Sequence, residues 1–365
     1  MSHLADGYDG YDGSDGSDGS DGSVEESGSA YSVYLEITRR CNFLCDYCYA
    51  CGNPAENDFL TLNQIIEIIE KSLSWGAKSL TISGGEPFLR PDTISIIEYA
   101  SSRCHTNIIT NASLIDMELG LKLASLSNIS LSVSLDGSTA EINDIHRGAG
   151  SFSAAVRGIK NLLKAGLRKF ISLCMTVNAD NFRNIENYAA FASGLGIQSI
   201  VLTPAVIIGR ASEKRNGLFI NQEQLLEYYQ SLFDLEKKYK EKLKISGSLK
   251  TSLKKRMDEK SSDLPCSICR SIAVDYRGEI YPCSLMMLPQ FSMGNVLKSD
   301  SLEEICKSGE EVFRKIAVER KDKVEKCSLC RLKDVCAAGC PARSYFEYGS
   351  FDYPDPDCIV INNLI

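Results

Sequence analysis

The sequence lacks any apolar run of the ~20 residues a bilayer crossing needs, and its amino terminus is acidic where a secretory signal would be basic and then apolar. Both absences point to a cytoplasmic protein. Histidine is scarce, with three in 365 residues. His3 falls in an acidic tail, and His105 and His146 have no partner at metal-ligand spacing, so metal chemistry must rest on other donors. A basic excess is missing too. The formal charge is -8, but residues 1–30 carry eight acids and no Lys or Arg, and without them 40 acids face 40 bases. A neutral body with an acidic tail excludes the concentrated basic face of a nucleic-acid binder, so neither nucleic acid nor membrane is expected as a partner. What the chain has in excess is cysteine. Fifteen thiols in a leaderless chain argue for metal or redox chemistry rather than a secreted disulfide scaffold.

An Asp-Gly pair recurs every third position from Asp6 to Asp21, with almost nothing apolar between. Residues 1–30 are therefore expected to be disordered. From Tyr31 short β-rich runs alternate with helix-length amphipathic segments. Strands are predicted at Val33–Ile37, Ser79–Ile82, Asn107–Ile109, Ile129–Leu135, Phe170–Val177 and Ser199–Leu202. Helices are predicted at Thr61–Ser74, Asp92–Ser101, Asp116–Leu123, Ser151–Ala165 and Asn181–Ser193. Strict alternation means an α/β fold with a parallel sheet, and six units are too few for a closed eight-strand barrel. An incomplete barrel or an open sheet places its site at the carboxyl ends of the strands. The alternation is expected to stop after Pro204. Residues 211–262 read as a helical bridge and Lys-rich linker, and 263–365 as a second, cysteine-rich region opened by a hairpin with its turn at Arg277–Gly278.

After the first strand comes CNFLCDYC, which puts Cys41, Cys45 and Cys48 on one loop. Three thiolates can hold three corners of a cubane and leave one iron open, whereas recruitment of Cys51 would make a closed zinc knuckle. The second strand ends in Ser83, Gly84, Gly85 and Glu86. Paired glycines there allow close backbone approach to a small molecule, and the acid can receive an ammonium group.

With Tyr47 and the Gly-Gly-Glu edge, the three-cysteine loop resembles that of the radical S-adenosylmethionine (SAM) superfamily over about residues 31–204. The resemblance implies a partial (β/α)6 barrel in which SAM chelates the open iron. Reduction of SAM then gives a 5′-deoxyadenosyl radical that abstracts substrate hydrogen. It further implies that Gly84–Glu86 meet the methionine amino group and that the Tyr47 backbone meets the adenine. Ser134 and Asp136 would contact ribose and carboxylate, and Arg147 would pair with the SAM carboxylate. A surface salt bridge is the alternative for Arg147, and a turn for Asn111 in TNAS.

The carboxyl region carries Cys266, Cys269 and Cys283, then Cys327, Cys330, Cys336 and Cys340, and finally Cys358. Uneven spacing and eight thiolates fit two four-cysteine clusters better than two zinc sites. This array resembles the SPASM extension of radical SAM peptide-modifying enzymes, over about residues 263–360. The resemblance implies one auxiliary cluster on Cys327, Cys330, Cys336 and Cys358 and another on Cys266, Cys269, Cys283 and Cys340, so three 4Fe–4S clusters in all. The run from Cys269 to Gly278 is shorter than the family's usual one, which leaves open iron and substrate binding as the alternative at Cys269. Cys51, Cys104, Cys174 and Cys306 receive no role, and Trp75 reads as a core or domain contact.

Among SPASM enzymes the sulfatase-maturing type has an Asp after the hairpin cysteine, where this chain has Ser284, a poor base. The expected function is therefore maturation of a ribosomal precursor peptide, by thioether or carbon-carbon crosslinking or by epimerisation. Its expected partners are a separate leader-binding protein and an external donor of flavodoxin or ferredoxin type. A haem-pathway enzyme acting on tetrapyrrole side chains is the alternative.

Overall fold

β1 (Tyr31–Thr38) reads YSVYLEIT, and its alternation decides the architecture: Val33, Leu35 and Ile37 point to one fully buried face, Tyr34 and Glu36 to the other. The same period of two runs through β2 (Ala77–Gly84), β3 (His105–Thr110), β4 (Ile129–Ser134), β5 (Ile171–Val177) and β6 (Ser199–Pro204). The outer face of these strands is Leu, Ile and Val. Against it pack α1 (Leu62–Ser74), α2 (Thr93–Ser101), α3 (Met117–Ala124), α5 (Ser151–Lys164) and α6 (Ile185–Gly194), while the polar α4 (Ala140–Arg147) lies beside α5 and buries only Asn143 and Arg147. In α1 the buried positions Ile65, Ile68, Ile69 and Ser72 form one stripe at helical spacing, and Thr61 and Gln64 close a capping box at its start. The inner face carries small polar groups instead, such as Ser132, Ser134, Cys174 and Thr176, all half-buried.

The computed structural model describes residues 31–213, 215–247, 266–358 and 360. The Gly-Asp tail and the Lys-rich segment lie outside these residues. Strands β1 to β6 pair in parallel in chain order, as six βα units require. The alternation does not stop after Pro204. Helix α7 (Gln222–Tyr239) leads to β7 (Lys244–Ser246), which adds parallel to β6. Only three residues long and without an apolar run, β7 offers no strand signal in sequence. At the opposite edge β8 (Ser271–Val274) pairs in parallel with β1, and β9 (Glu279–Tyr281) and β10 (Gly294–Asn295) follow antiparallel. The hairpin of the cysteine-rich region thus continues the barrel sheet. Trp75, at the carboxyl end of α1, packs on Tyr31 with ring centroids 4.4 Å apart. Among the described residues no helix is long and apolar enough to cross a membrane.

Candidate active site

The loop after β1 is laid against the end of β2 by backbone contacts. Gly85 N–H donates to Thr38 O (2.9 Å) and Glu86 N–H to Arg40 O (2.7 Å). Here the paired glycines are needed for the protein's own packing. Gly84 has φ +138°, a Cβ on it would fall 2.1 Å from Thr38 O, and one on Gly85 2.1 Å from Arg40 O. On the far side the loop is held by Arg210, whose Nε–H donates to Cys45 O (2.9 Å) and whose Nη1 donates to Gly52 O (3.0 Å). Sequence reasoning missed Arg210, which stands in no motif.

Held in this way, Cys41 and Cys45 are buried and Cys48 is half-buried. Burial pushes the Cys41 thiol up to about 12 and Cys45 to about 11, and each also feels the charge of Cys48. Three such thiolates on one loop are stable only around a cation. Cys51 takes φ +51° and directs its thiol toward Cys48 O (3.8 Å).

Beneath the loop lies a buried ion pair. Asp136, just past β4, accepts from Arg147 at the end of α4 through Nε (2.9 Å) and Nη2 (3.1 Å). It also accepts from Thr176 N–H (2.8 Å) and the Tyr47 hydroxyl. Arg147 is therefore in a salt bridge, but a buried bidentate one rather than a surface one. Glu86 is equally engaged. Its carboxylate accepts from Thr110 Oγ1 (2.7 Å), Asn111 N–H (2.7 Å) and Phe88 N–H (3.2 Å), while burial raises its pKa to about 7. Asn111 makes the turn, accepting from Ser113 N–H (2.9 Å), and also donates to Asn42 Oδ1 in the cysteine loop (3.0 Å). Ser83 is buried and receives the Tyr34 hydroxyl (2.7 Å); Ser134 stands half-buried opposite Cys174 on β5. His146, set aside in sequence, bridges Asp46 (3.2 Å) and Asp180 (2.8 Å) beside the loop. The missing signal was helix α4, whose polar composition hides it.

The eight carboxyl-region cysteines fall into two sets. Burial pushes Cys266, Cys269 and Cys283 up to about 12; Cys266 further feels Cys340 and Cys283, Cys283 feels Cys340 and Cys269, and Cys269 feels Cys266. Cys336, also pushed up to about 12 by burial, feels Cys327, Cys358 and Cys330. Cys269, at φ +62°, feels Glu310 more than Cys266, and Cys306 in turn feels Cys269. Buried Arg320 knits the turns between the sets, donating to the carbonyls of Phe351 (2.8 Å), Gly339 (2.9 Å) and Tyr353 (2.7 Å). Arg343 pairs with Asp355 (3.2 Å) and Asp357, and Asp357 also accepts from Tyr229 of α7 (2.9 Å), which ties the bridge helix to the carboxyl-terminal turn. Cys306 lies in the core, whereas Cys174 faces the barrel interior.

Comparison with known proteins identifies the two regions that carry these cysteines. Residues 35–192 match the radical SAM superfamily and residues 266–331 the SPASM iron-sulfur cluster-binding domain. Mycofactocin maturase MftC of Mycobacterium tuberculosis is 27% identical over 330 residues, which cover 89% of this chain and 81% of that protein. An AdoMet-dependent heme synthase of Methanosarcina barkeri is 29% identical over 344 residues, 89% of this chain and 95% of that one. In fold, anSMEcpe with bound AdoMet superposes with TM-score 0.74 at 17% identity, over 91% of this chain and 95% of that one. Streptococcus suis SuiB bound to precursor peptide SuiA gives 0.72 at 17% identity, over 89% and 75%. The chain belongs to the radical SAM superfamily, as an enzyme with a carboxyl-terminal SPASM domain.

Proposed function

We propose that the enzyme is a peptide maturase, which takes a hydrogen atom from a ribosomally made precursor peptide and forms a thioether or carbon-carbon crosslink, or an epimer. The observation that carries this reading is one continuous sheet bearing a three-thiol loop at the end of β1 and, flanking the β8–β9 hairpin that β8 joins to β1, Cys266, Cys269 and Cys283. Oxidative crosslinking needs such a neighbourhood, because it must dispose of an electron as well as a hydrogen atom. Cys41, Cys45 and Cys48 would hold a 4Fe–4S cluster with one iron open to SAM; Cys266, Cys269, Cys283 and Cys340 would hold a second, and Cys327, Cys330, Cys336 and Cys358 a third. A cluster held by these three cysteines of the β1 loop would, when loaded with SAM and given an electron by a flavodoxin or ferredoxin, supply the chemistry of the 5′-deoxyadenosyl radical.

The chain's own residues build the shelf around that chemistry. The Gly84–Gly85 backbone and Ser134 form its edges, open to the SAM methionine and ribose. Glu86 fixes Asn111, and the Asp136–Arg147–Tyr47 group locks α4 under the loop. Arg210 draws the segment after β6 across the loop, which keeps water from the reacting groups.

The match to mycofactocin maturase supports the maturase reading, and the equally extensive match to the heme synthase supports the second reading. Reduced, anaerobic protein with SAM should convert a small peptide encoded beside its gene, seen by mass spectrometry as loss of two hydrogens or, in heavy water, uptake of one deuterium. Decarboxylation of iron-coproporphyrin III with every such peptide unchanged would establish the haem reading instead.

A further inference from the structure

Between the cysteine loop, the segment after β6 and the β8–β9 hairpin lies a cavity of about 290 Å³, lined by Glu36, Arg39, Tyr49, Asp275, Tyr281 and Ser284 among others. Glu36 is 1% exposed, and neither carboxyl oxygen has a hydrogen-bond partner. Arg39 Nε is likewise buried and unpartnered, 3.9 Å from Glu36 Oε2, close enough to feel the charge and too far to donate. Two unsatisfied polar groups side by side in one cavity are costly to a fold and are kept where a ligand completes them.

We propose that Glu36 and Arg39 grip one residue of an extended peptide substrate, the Glu36 carboxyl pairing with that residue's own N–H and C=O while Arg39 donates to a neighbouring carbonyl. This reading rests on the peptide-maturase assignment above. An extended residue presents its N–H and C=O on the same side, as in the hydrogen-bonded pairs of an antiparallel ladder. A protonated carboxyl is donor and acceptor at once and can meet both.

Glu36 is placed to keep its proton. Burial, with a smaller push from Asp275 against the pull of Arg39, raises it from 4.5 to about 8. The other groups facing it, the Tyr34 and Tyr49 hydroxyls, are pushed up by burial and stay neutral. Asp275 is itself satisfied, by the N–H groups of Arg277 (2.8 Å) and Glu279 (2.9 Å) and by the Tyr281 hydroxyl (3.3 Å). It therefore stays in place as the second acid. A cavity near the low end of the ~300–1,000 Å³ typical of ligand pockets suits a single residue rather than a macrocycle.

Because the folded pKa lies above the ordinary one, the stabilisation linked to this proton is fully present below pH 4.5 and is lost as pH rises through about 8. Glu36→Gln should remove that part of the pH dependence of melting in the cluster-loaded protein, and Glu36→Met should melt higher than wild type.

Two readings test the grip on SAM-saturated holoenzyme. Dicyclohexylcarbodiimide, which attacks protonated carboxyls in apolar sites, should modify Glu36, with a rate falling about tenfold between pH 7 and pH 9. With the peptide the enzyme is found to modify, Glu36→Met should raise KM about tenfold. Glu36→Gln, which keeps a donor and an acceptor, should stay within about twofold, and peptide-free SAM cleavage should be unchanged in both. An unmodified Glu36, a wild-type KM in Glu36→Met, or a Glu36→Gln variant as impaired as Glu36→Met would overturn the grip while leaving the maturase reading intact. Turnover of iron-coproporphyrin III alone would remove both.

Discussion

At the scale of single residues the site is organised by groups that serve the protein before they serve any ligand. Gly85 is the clearest case, since its missing Cβ is what lets Arg40 O approach. Gly85→Ala should push the cysteine loop off β2 and cost the first cluster, leaving about eight of an expected twelve irons per chain after anaerobic reconstitution. Iron and sulfide assays read this directly, and a full complement in the variant would mean that the loop tolerates the methyl group. The same residues show how far sequence can be read. Cys41, Cys45, Cys48 and the Gly-Gly-Glu edge announce themselves by spacing. That Asp136 would meet Arg147, or that Arg210 would reach Cys45 O from 165 residues away, follows only from how the strands are ordered. Glu36 looks like any acid in a strand until its burial without partners is seen.

At the scale of elements, β1 to β6 lie where their apolar alternation predicts, with ends moved by one or two residues. Helix α4 and strand β7 escape notice because one is largely polar and the other very short. The pairing of β8 with β1 escapes it for another reason: register between segments some 240 residues apart leaves no trace in local pattern. That pairing gives the cysteines of the carboxyl region two different supports. Cys266, Cys269 and Cys283 flank the sheet edge, whereas Cys327, Cys330 and Cys336 sit on the short helices Glu325–Ser328 and Lys333–Cys336 and on the turn between them. The double change Cys327→Ala with Cys330→Ala should therefore lose one cluster and abolish product, while SAM cleavage stays measurable and the main melting transition persists. A purely structural role predicts an insoluble or globally destabilised variant, because small loop-rich metal domains unfold without their metal. Wild-type turnover in a folded variant would rule out this cluster as the electron acceptor.

At the scale of the whole molecule, a sheet of ten strands among the described residues carries the three-thiol loop near its middle and the cysteine-rich hairpin at one edge, which would put the proposed radical generation and electron acceptance on one scaffold. The measurement closest to that claim is SAM cleavage by the reduced, anaerobic protein without substrate, in wild type and in the triple variant Cys41→Ala, Cys45→Ala, Cys48→Ala. Wild type should release 5′-deoxyadenosine and methionine slowly, and the triple variant should release neither while retaining about two-thirds of its iron. Undiminished cleavage in the triple variant would contradict the assignment of the loop after β1 as the place where SAM is reduced.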